Sequence, residues 1–178
     1  MKGKIFNTEE VQAIIAGNKT MFREVVKEIG NIKLNSGGAG LYFGKCPYQV
    51  GQKIFCKEKF SVTWGEGYVW YWADDGRVEV GDWKKPQPAQ HMKQEHSRIS
   101  LLIKEIKVER LAEISDKDLL KEGMQITDEW TAPAVDLDFT NENMDAFKEN
   151  WNATHKKPEE KFEANPWVWV VSFEVINN

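Results

Sequence analysis

Lys19 and Arg23 stand four residues apart, and Lys57, Glu58, His91, Ser97 and Arg98 follow at wider intervals. A lysine whose pKa is lowered by burial or by a cationic neighbour can act as a base or nucleophile. Arg23 is close enough in sequence to be that neighbour. Without such a shift, Lys19 is a phosphate or carboxylate contact. Arg23, Lys57 and Arg98 are candidate phosphate contacts. His91 can hydrogen-bond a base or a phosphate, and neutral imidazole can move a proton. Glu58 and Glu66 can accept from the amino edge of cytosine or guanine. Trp64, Trp70, Trp72 and Trp83 are interleaved with Lys and Arg, the pattern that base stacking uses, and Trp83 is the foremost stacking candidate. The histidines are His91, His96 and His155 and the cysteines Cys46 and Cys56. That set lacks the spacing of a metal site, so neither metal nor cofactor is expected.

Composition bounds the class. The chain has 178 residues, 41% of them hydrophobic and 29% charged, enough for one domain with a buried core. Residues 1–110 hold 18 Lys/Arg against 13 Asp/Glu, and residues 111–178 hold 6 against 15, so +5 and −9 give the net −4. A pI of about 5.5 speaks against a nonspecific duplex-coating protein, while a local basic face remains open. No apolar run reaches the ~18 residues that span a bilayer, and the first residues lack a secretory signal. The expectation is a soluble cytoplasmic protein without a membrane partner. Two cysteines are too few for a disulfide scaffold.

The elements that must position these residues are partly legible. Asn7 to Gly17 reads as a helix, with Asn7 and Glu10 at capping-box spacing and Val11, Ile14 and Ile15 on one face. Ser115 to Glu122 reads as a second helix, closed by Gly123, and residues from about 141 to 151 as a third, with Met144, Phe147 and Trp151 aligned. Residues 53–60 form a strand candidate. There, even spacing puts Lys53, Lys57 and Lys59 on one face, either tracking a nucleic-acid backbone or protecting an edge. Residues 69–72 and 77–80 read as a hairpin around Asp74-Asp75-Gly76. Residues 98–109 form a long strand with a bulge near Lys104-Glu105. Trp167 to Ile176 is a central strand whose Trp167 and Trp169 are core residues. Residues 30–40 read as loop, and Gly37 to Gly40 lacks the context of a phosphate cradle.

In order along the chain, several segments resemble the ASCH-domain proteins of the PUA-like superfamily, in their phage and prophage version. They are Phe6-Asn7-Thr8; Gly17-Asn18-Lys19-Thr20 with Arg23; Pro47-Tyr48 with Gly51 and Glu58; Trp83-Lys84 with His91-Met92; Ser97-Arg98-Ile99; Val108-Glu109-Arg110-Leu111 with Glu122-Gly123; and Asn165-Pro166-Trp167-Val168-Trp169-Val170. The resemblance covers residues 5–174. It implies an α+β, mainly β fold: a PUA-like β-barrel with flanking helices, as one domain over residues 1–178 with an irregular insertion around 124–164. It implies a cleft for single-stranded RNA or a modified nucleoside or nucleotide, with Lys19, Arg23, Lys57, Glu58, Trp83, His91, Ser97 and Arg98 as its binding residues. Lys57 stands where the phage relatives usually carry arginine. One branch of the superfamily hydrolyses N4-acylated cytidine, with a lysine, a threonine three residues later and a glutamate in the second helix. Lys19 and Glu122 match that set. Phe22 stands at the threonine position, and Thr20 substitutes only if the turn differs. The reading therefore leans away from an enzyme. A small nucleobase hydrolase is the alternative, and a protein-binding phage accessory factor is a third.

Overall fold

The computed structural model describes residues 1–33, 39–64, 67–74, 84–124 and 140–176. In chain order these form β1 (Lys2–Ile5), α1 (Thr8–Ile15), β2 (Met21–Val25), β3 (Gly30–Lys33), β4 (Ala39–Tyr42), β5 (Lys53–Lys57), β6 (Phe60–Val62), β7 (Val69–Tyr71), β8 (Ser100–Arg110), α2 (Asp116–Lys121), α3 (Thr140–Thr154) and β9 (Trp167–Ile176), with short 3-10 turns between them. The fold is mixed α+β and mainly strand, as expected.

The main sheet runs β1-β5-β8-β9-β2. β1 pairs with β5 in parallel, and the other ladders are antiparallel. The described ladders leave β1 and β2 as edges, so a closed barrel is not formed by backbone pairing. Side chains bridge the two edges instead: Lys4 Nζ of β1 lies 3.2 Å from Glu24 Oε2 of β2. Strands β3 and β4 pair with each other, as do β6 and β7.

Each face of the sheet covers a core, and β9 serves both because its side chains alternate. Val171 and Phe173 join Phe6, Val11, Ile14, Phe22, Tyr48, Leu101 and Ile103. Val168 and Val170 join Met21, Leu111, Leu119, Phe147 and Trp151 beneath α2 and α3. The bulge in β8 falls between Ile103 and Glu105, where the apolar phase changes. Trp169 packs on the first core, and Trp167 is held between the Phe43 ring and the Arg110 guanidinium.

The first helix starts as its sequence dictates. Glu10 N donates to Asn7 Oδ1 at 2.8 Å, and Asn7 N donates to Glu10 Oε2 at 2.9 Å. Asn7→Ala should cost about 1 kcal/mol and lower the melting temperature by about 3 °C in a thermal melt. An unchanged melting temperature would show that α1 is set by packing alone.

Several expectations change. The stretch read as loop over 30–40 contains β3 and part of β4, whose Gly- and Asn-rich sequence hides a backbone-paired hairpin. The strand read over 53–60 is two strands, with Lys59 in the break. Because β5 lies between β1 and β8, its lysines protect no edge. The described partner of β7 is β6, and the expected strand 77–80 lies outside the described residues, as do Glu66 and Trp83. Of the stretch 124–164, residues 125–139 are also outside them, and the remainder carries α3 and two 3-10 turns.

Candidate functional site

Residues 18–20 leave α1 and run beside the end of α2. Lys19 and Glu122 form an isolated antiparallel bridge, and Thr20 N donates to Lys121 O at 2.8 Å. Gly123 makes the approach possible. Its φ is +89°, and a Cβ there would lie 2.9 Å from Ala13 Cβ and 3.1 Å from Lys19 Cβ. Lys19 and Glu122, 103 residues apart in sequence, therefore meet side chain to side chain.

Their contacts are dense. Lys19 Nζ donates to Glu122 Oε2 at 2.8 Å and to Glu122 O at 2.9 Å, and lies 3.4 Å from Glu10 Oε1. Arg23 donates from Nη1 to Glu122 Oε1 at 2.7 Å, and from Nη2 to Glu109 Oε1 at 2.7 Å and Asp118 Oδ2 at 3.3 Å. Lys107 Nζ closes the far side, 3.1 Å from Glu109 and 3.5 Å from Asp118. Lys19, Arg23 and Glu122 are 2%, 6% and 8% exposed. Registry explains the convergence. Arg23 and Lys107 both sit opposite Val170 in their ladders, and Glu109 is two residues beyond Lys107 on the same face. Asp118 and Glu122 are four apart, on one side of α2 and its cap.

Of these groups Glu10, Lys19, Arg23 and Glu122 line a cleft of about 400 Å³, and Lys107, Glu109 and Asp118 stand behind them, outside its lining. Its walls include Phe22, Met124, Phe147 and Trp151, and Glu9, Glu10, Glu24, Lys4 and His155 add charge or polarity. Trp151 and His155 stack at 3.9 Å with 9° between their planes. The size and the mixed apolar and polar lining suit a small ring-bearing molecule. Phe22, at the threonine position of the hydrolase pattern, lines the cleft with a ring packed edge-on to Tyr48. Thr20 is not among the lining residues, and both sides of its backbone are tied, since Phe173 N donates to Thr20 O at 2.8 Å.

The other residues singled out by sequence gather elsewhere. Arg98 donates from Nε and Nη2 to the two oxygens of Glu58, at 3.1 and 3.0 Å, and from Nη1 to Asp74 at 2.6 Å. Its guanidinium also lies over the Tyr71 ring at 4.1 Å. Ser97 Oγ donates to Cys56 O, Lys57 Nζ donates to Gln90 O, and His91 is exposed. None of these five lines the cleft. Helix α1 links the two groups: Glu10 faces Lys19, and Gln12 Nε2 donates to Ala73 O, beside Asp74. Sequence reasoning missed Glu109, Asp118, Lys107 and Trp151 as cleft or cluster residues. The i,i+4 acidic pair in α2 was the available signal.

The carboxylates titrate in opposite senses. Burial would raise Asp118, but Lys107 and Arg23 more than offset it and hold it below the usual range. Burial likewise opposes Glu24, yet Lys4 and the Tyr48 hydroxyl hold it low. Glu58 is raised by burial, which its bonds to Arg98 only partly offset. A lowered folded pKa stabilises above the unfolded value near 4, and that gain is lost as pH falls through the folded value. For Glu58 the sign reverses: stability falls as pH rises through its raised value. Asp118→Asn should cost about 1–2 kcal/mol at pH 7 and progressively less below pH 4, read from melts across pH. A penalty independent of pH would contradict the ion-pair account.

No protein-family model matches the sequence, and no curated protein matches it either. Solved structures do match by fold. A crystallised protein from Enterococcus faecalis V583, of family model DUF984, superposes with a TM-score of 0.50 at 9% identity, over 99% of this chain and 82% of its own. The chain shares that protein's fold. An ASCH domain from Lactobacillus crispatus JV V101 aligns with a TM-score of 0.43 at 11% identity, over 99% of this chain and 80% of its own. Among the described residues, no group of three or more His, Cys, Asp or Glu is placed to hold a metal ion, and no helix is long and apolar enough to cross a membrane.

Proposed function

We propose that the chain is a nucleobase-recognising module of the ASCH, PUA-like type, in the phage and prophage version its segments resemble, and that the Lys19–Glu122–Arg23 cleft takes the base. The observation that carries this reading is the buried charged floor beneath aromatic walls. Lys19 spends two of its three N–H groups on Glu122 and would turn the third, 3.4 Å from Glu10, to a carbonyl; Glu122 and Glu10 accept from an amino group, and Phe22 and Trp151 supply ring surface. The floor cations are engaged by carboxylates, and the lining holds Glu9, Glu10, Glu24 and Glu122 against Lys4, Lys19 and Arg23. That balance favours a base edge over a phosphate, so Lys19 and Arg23 act here as base contact and scaffold. Arg98 and Glu58 act as a structural pair.

A thermal-shift screen over nucleosides, modified nucleosides, their monophosphates and short oligomers tests the reading. A ligand at ~100 times its dissociation constant stabilises by about 2.7 kcal/mol, a shift of several degrees for a chain of this size. A shift with a nucleoside is expected. Silence across the whole panel would refute it.

The 2.8 Å contact between Lys19 and Glu122 also favours the hydrolase alternative, with Lys19 as base and Glu122 as proton carrier. Phe22 offers no hydroxyl, so water would have to be the nucleophile. That reading predicts turnover of an acylated cytidine that Glu122→Gln abolishes. No turnover by the unmodified chain across an acyl-cytidine panel would end it.

A further inference from the structure

Helix α3 and the residue that follows it turn one stripe of side chains toward the cleft. Phe147, Asn150, Trp151, Thr154 and His155 all line it, at the three- and four-residue spacing that shares a helix face. Trp151 is the fixed point of the stripe. It is 6% exposed, and its Nε1 donates to Glu160 O at 2.7 Å. The His155 ring lies on the Trp151 ring, 3.9 Å away and 9° from parallel.

The hydrogen bonds of His155 decide where its proton sits. Nδ1 is 3.0 Å from Trp151 O and 3.0 Å from Thr154 Oγ1. A carbonyl only accepts, and a bare Nδ1 would set lone pair against lone pair there, so Nδ1 carries the hydrogen. The Thr154 hydroxyl has its own acceptors, Asn150 O at 3.2 Å and Trp151 O at 3.0 Å. The neutral ring is left with a lone pair on Nε2, and no described residue hydrogen-bonds that atom. The stack and the Nδ1 bond together hold the ring in one orientation, so Nε2 is an acceptor placed in advance of any ligand.

That lone pair lies in the imidazole plane, which is also nearly the plane of the Trp151 indole. The N–H of an aromatic amine lies in the plane of its own ring. A flat amino heterocycle can therefore donate to Nε2 while staying parallel to the Trp151 face. The acceptors Glu10 and Glu122 stand on other elements of the lining and take a donor of their own. We propose that His155 is a specificity-determining contact of the cleft, accepting at Nε2 from a ring-borne amino group, and that the ligand is a flat heterocycle with two separate N–H donors. The inference rests on the base reading above and narrows it.

The test is calorimetric titration of the full chain with 2,6-diaminopurine riboside, adenosine, 2-aminopurine riboside and purine riboside. The second and third each lack one amino group of the first, and the fourth lacks both. The diamino compound should bind tightest, and each deletion should cost about three- to tenfold, the loss of one hydrogen bond. His155→Phe keeps a ring on Trp151 and removes both nitrogens. It should abolish one of the two deletion penalties and leave the other, which belongs to the floor carboxylates. His155→Gln, whose amide oxygen accepts, should restore part of the lost penalty. Both variants should melt within about 2 °C of the unaltered chain, because His155 is partly exposed. Long-range hydrogen–nitrogen spectra at pH 8 should show the His155 proton on Nδ1 in the free chain. The Nε2 signal should move upfield on saturation with the diamino compound. A proton on Nε2 in the free chain, or two penalties that survive unchanged in His155→Phe, would overturn the proposal and leave the base reading standing. If none of the four ribosides binds at 1 mM, the proposal also falls, and the wider thermal screen alone then decides the base reading.

Discussion

Replacing Arg23 with Met should destabilise the chain by about 4–5 kcal/mol, enough to leave most of it unfolded or insoluble at 37 °C. Among the described residues Arg23 is the one cation that touches Glu109, Asp118 and Glu122 together, and its side chain is fully buried. Met preserves much of the volume, so the loss reports the guanidinium's charge and its hydrogen bonds, the one to Met21 Sδ included. Without the guanidinium, three carboxylates face each other in a site with little water. Lys107 remains beside Glu109 and Asp118 and Lys19 beside Glu122, but Lys107 is half-exposed and no remaining cation joins all three carboxylates. Breaking a buried pair ordinarily costs about 3–5 kcal/mol, and a shared centre belongs at the upper end. Arg23→Lys should recover little, because an ammonium cannot reach three acceptors in a fork. Chemical denaturation of both variants checks this. A loss below 1 kcal/mol would mean that the cluster is already loosened by water.

Lys19→Met should act differently. It removes one donor from Glu122, but Glu122 keeps its bond to Arg23, so the stability cost should be about 2–3 kcal/mol. The stability cost follows from burial: a buried lysine bonded to a carboxylate and a carbonyl also holds the fold. Base recognition should fall by tenfold or more, the usual effect of deleting a charged hydrogen-bond partner from a closed site. Glu122→Gln keeps the shape and changes the charge, which separates the two effects. If that amide variant retains nucleoside affinity while Lys19→Met loses it, the lysine carries the recognition. Equal retention in both would remove the pair from the site.

The capped helices, the bulge in β8 and the central strand β9 were legible because each rests on local chemistry: a side-chain cap, a phase shift, or an alternating apolar run. Lys19, Arg23 and Glu122 were singled out through spacing and resemblance, and the fold brings all three together. The rest depended on pairing at a distance. Strands β1, β3 and β4 carry little hydrophobic pattern, and only their partners identify them. Glu109 and Asp118 were not singled out, because only the β8–β9 register and the end of α2 turn them onto Arg23. Arg98 looked like a free phosphate contact because sequence does not show that Glu58, 40 residues away, occupies its fork. Trp151 was aligned with Met144 and Phe147 on one face of the third helix; it is buried in the core beneath α2 and α3, and its ring also borders the cleft.

The most direct test of the central claim is a nitrogen-15 chemical-shift titration of the full chain with the nucleoside that gives the largest melting shift, alongside its 5′-monophosphate. The account predicts saturable shifts at Lys19, Thr20, Arg23, Glu122, Gly123 and the Trp151 indole, with the nucleoside binding at least as tightly as its monophosphate. Saturable shifts confined to other residues, or a monophosphate that binds tenfold tighter, would contradict a cleft that reads the base.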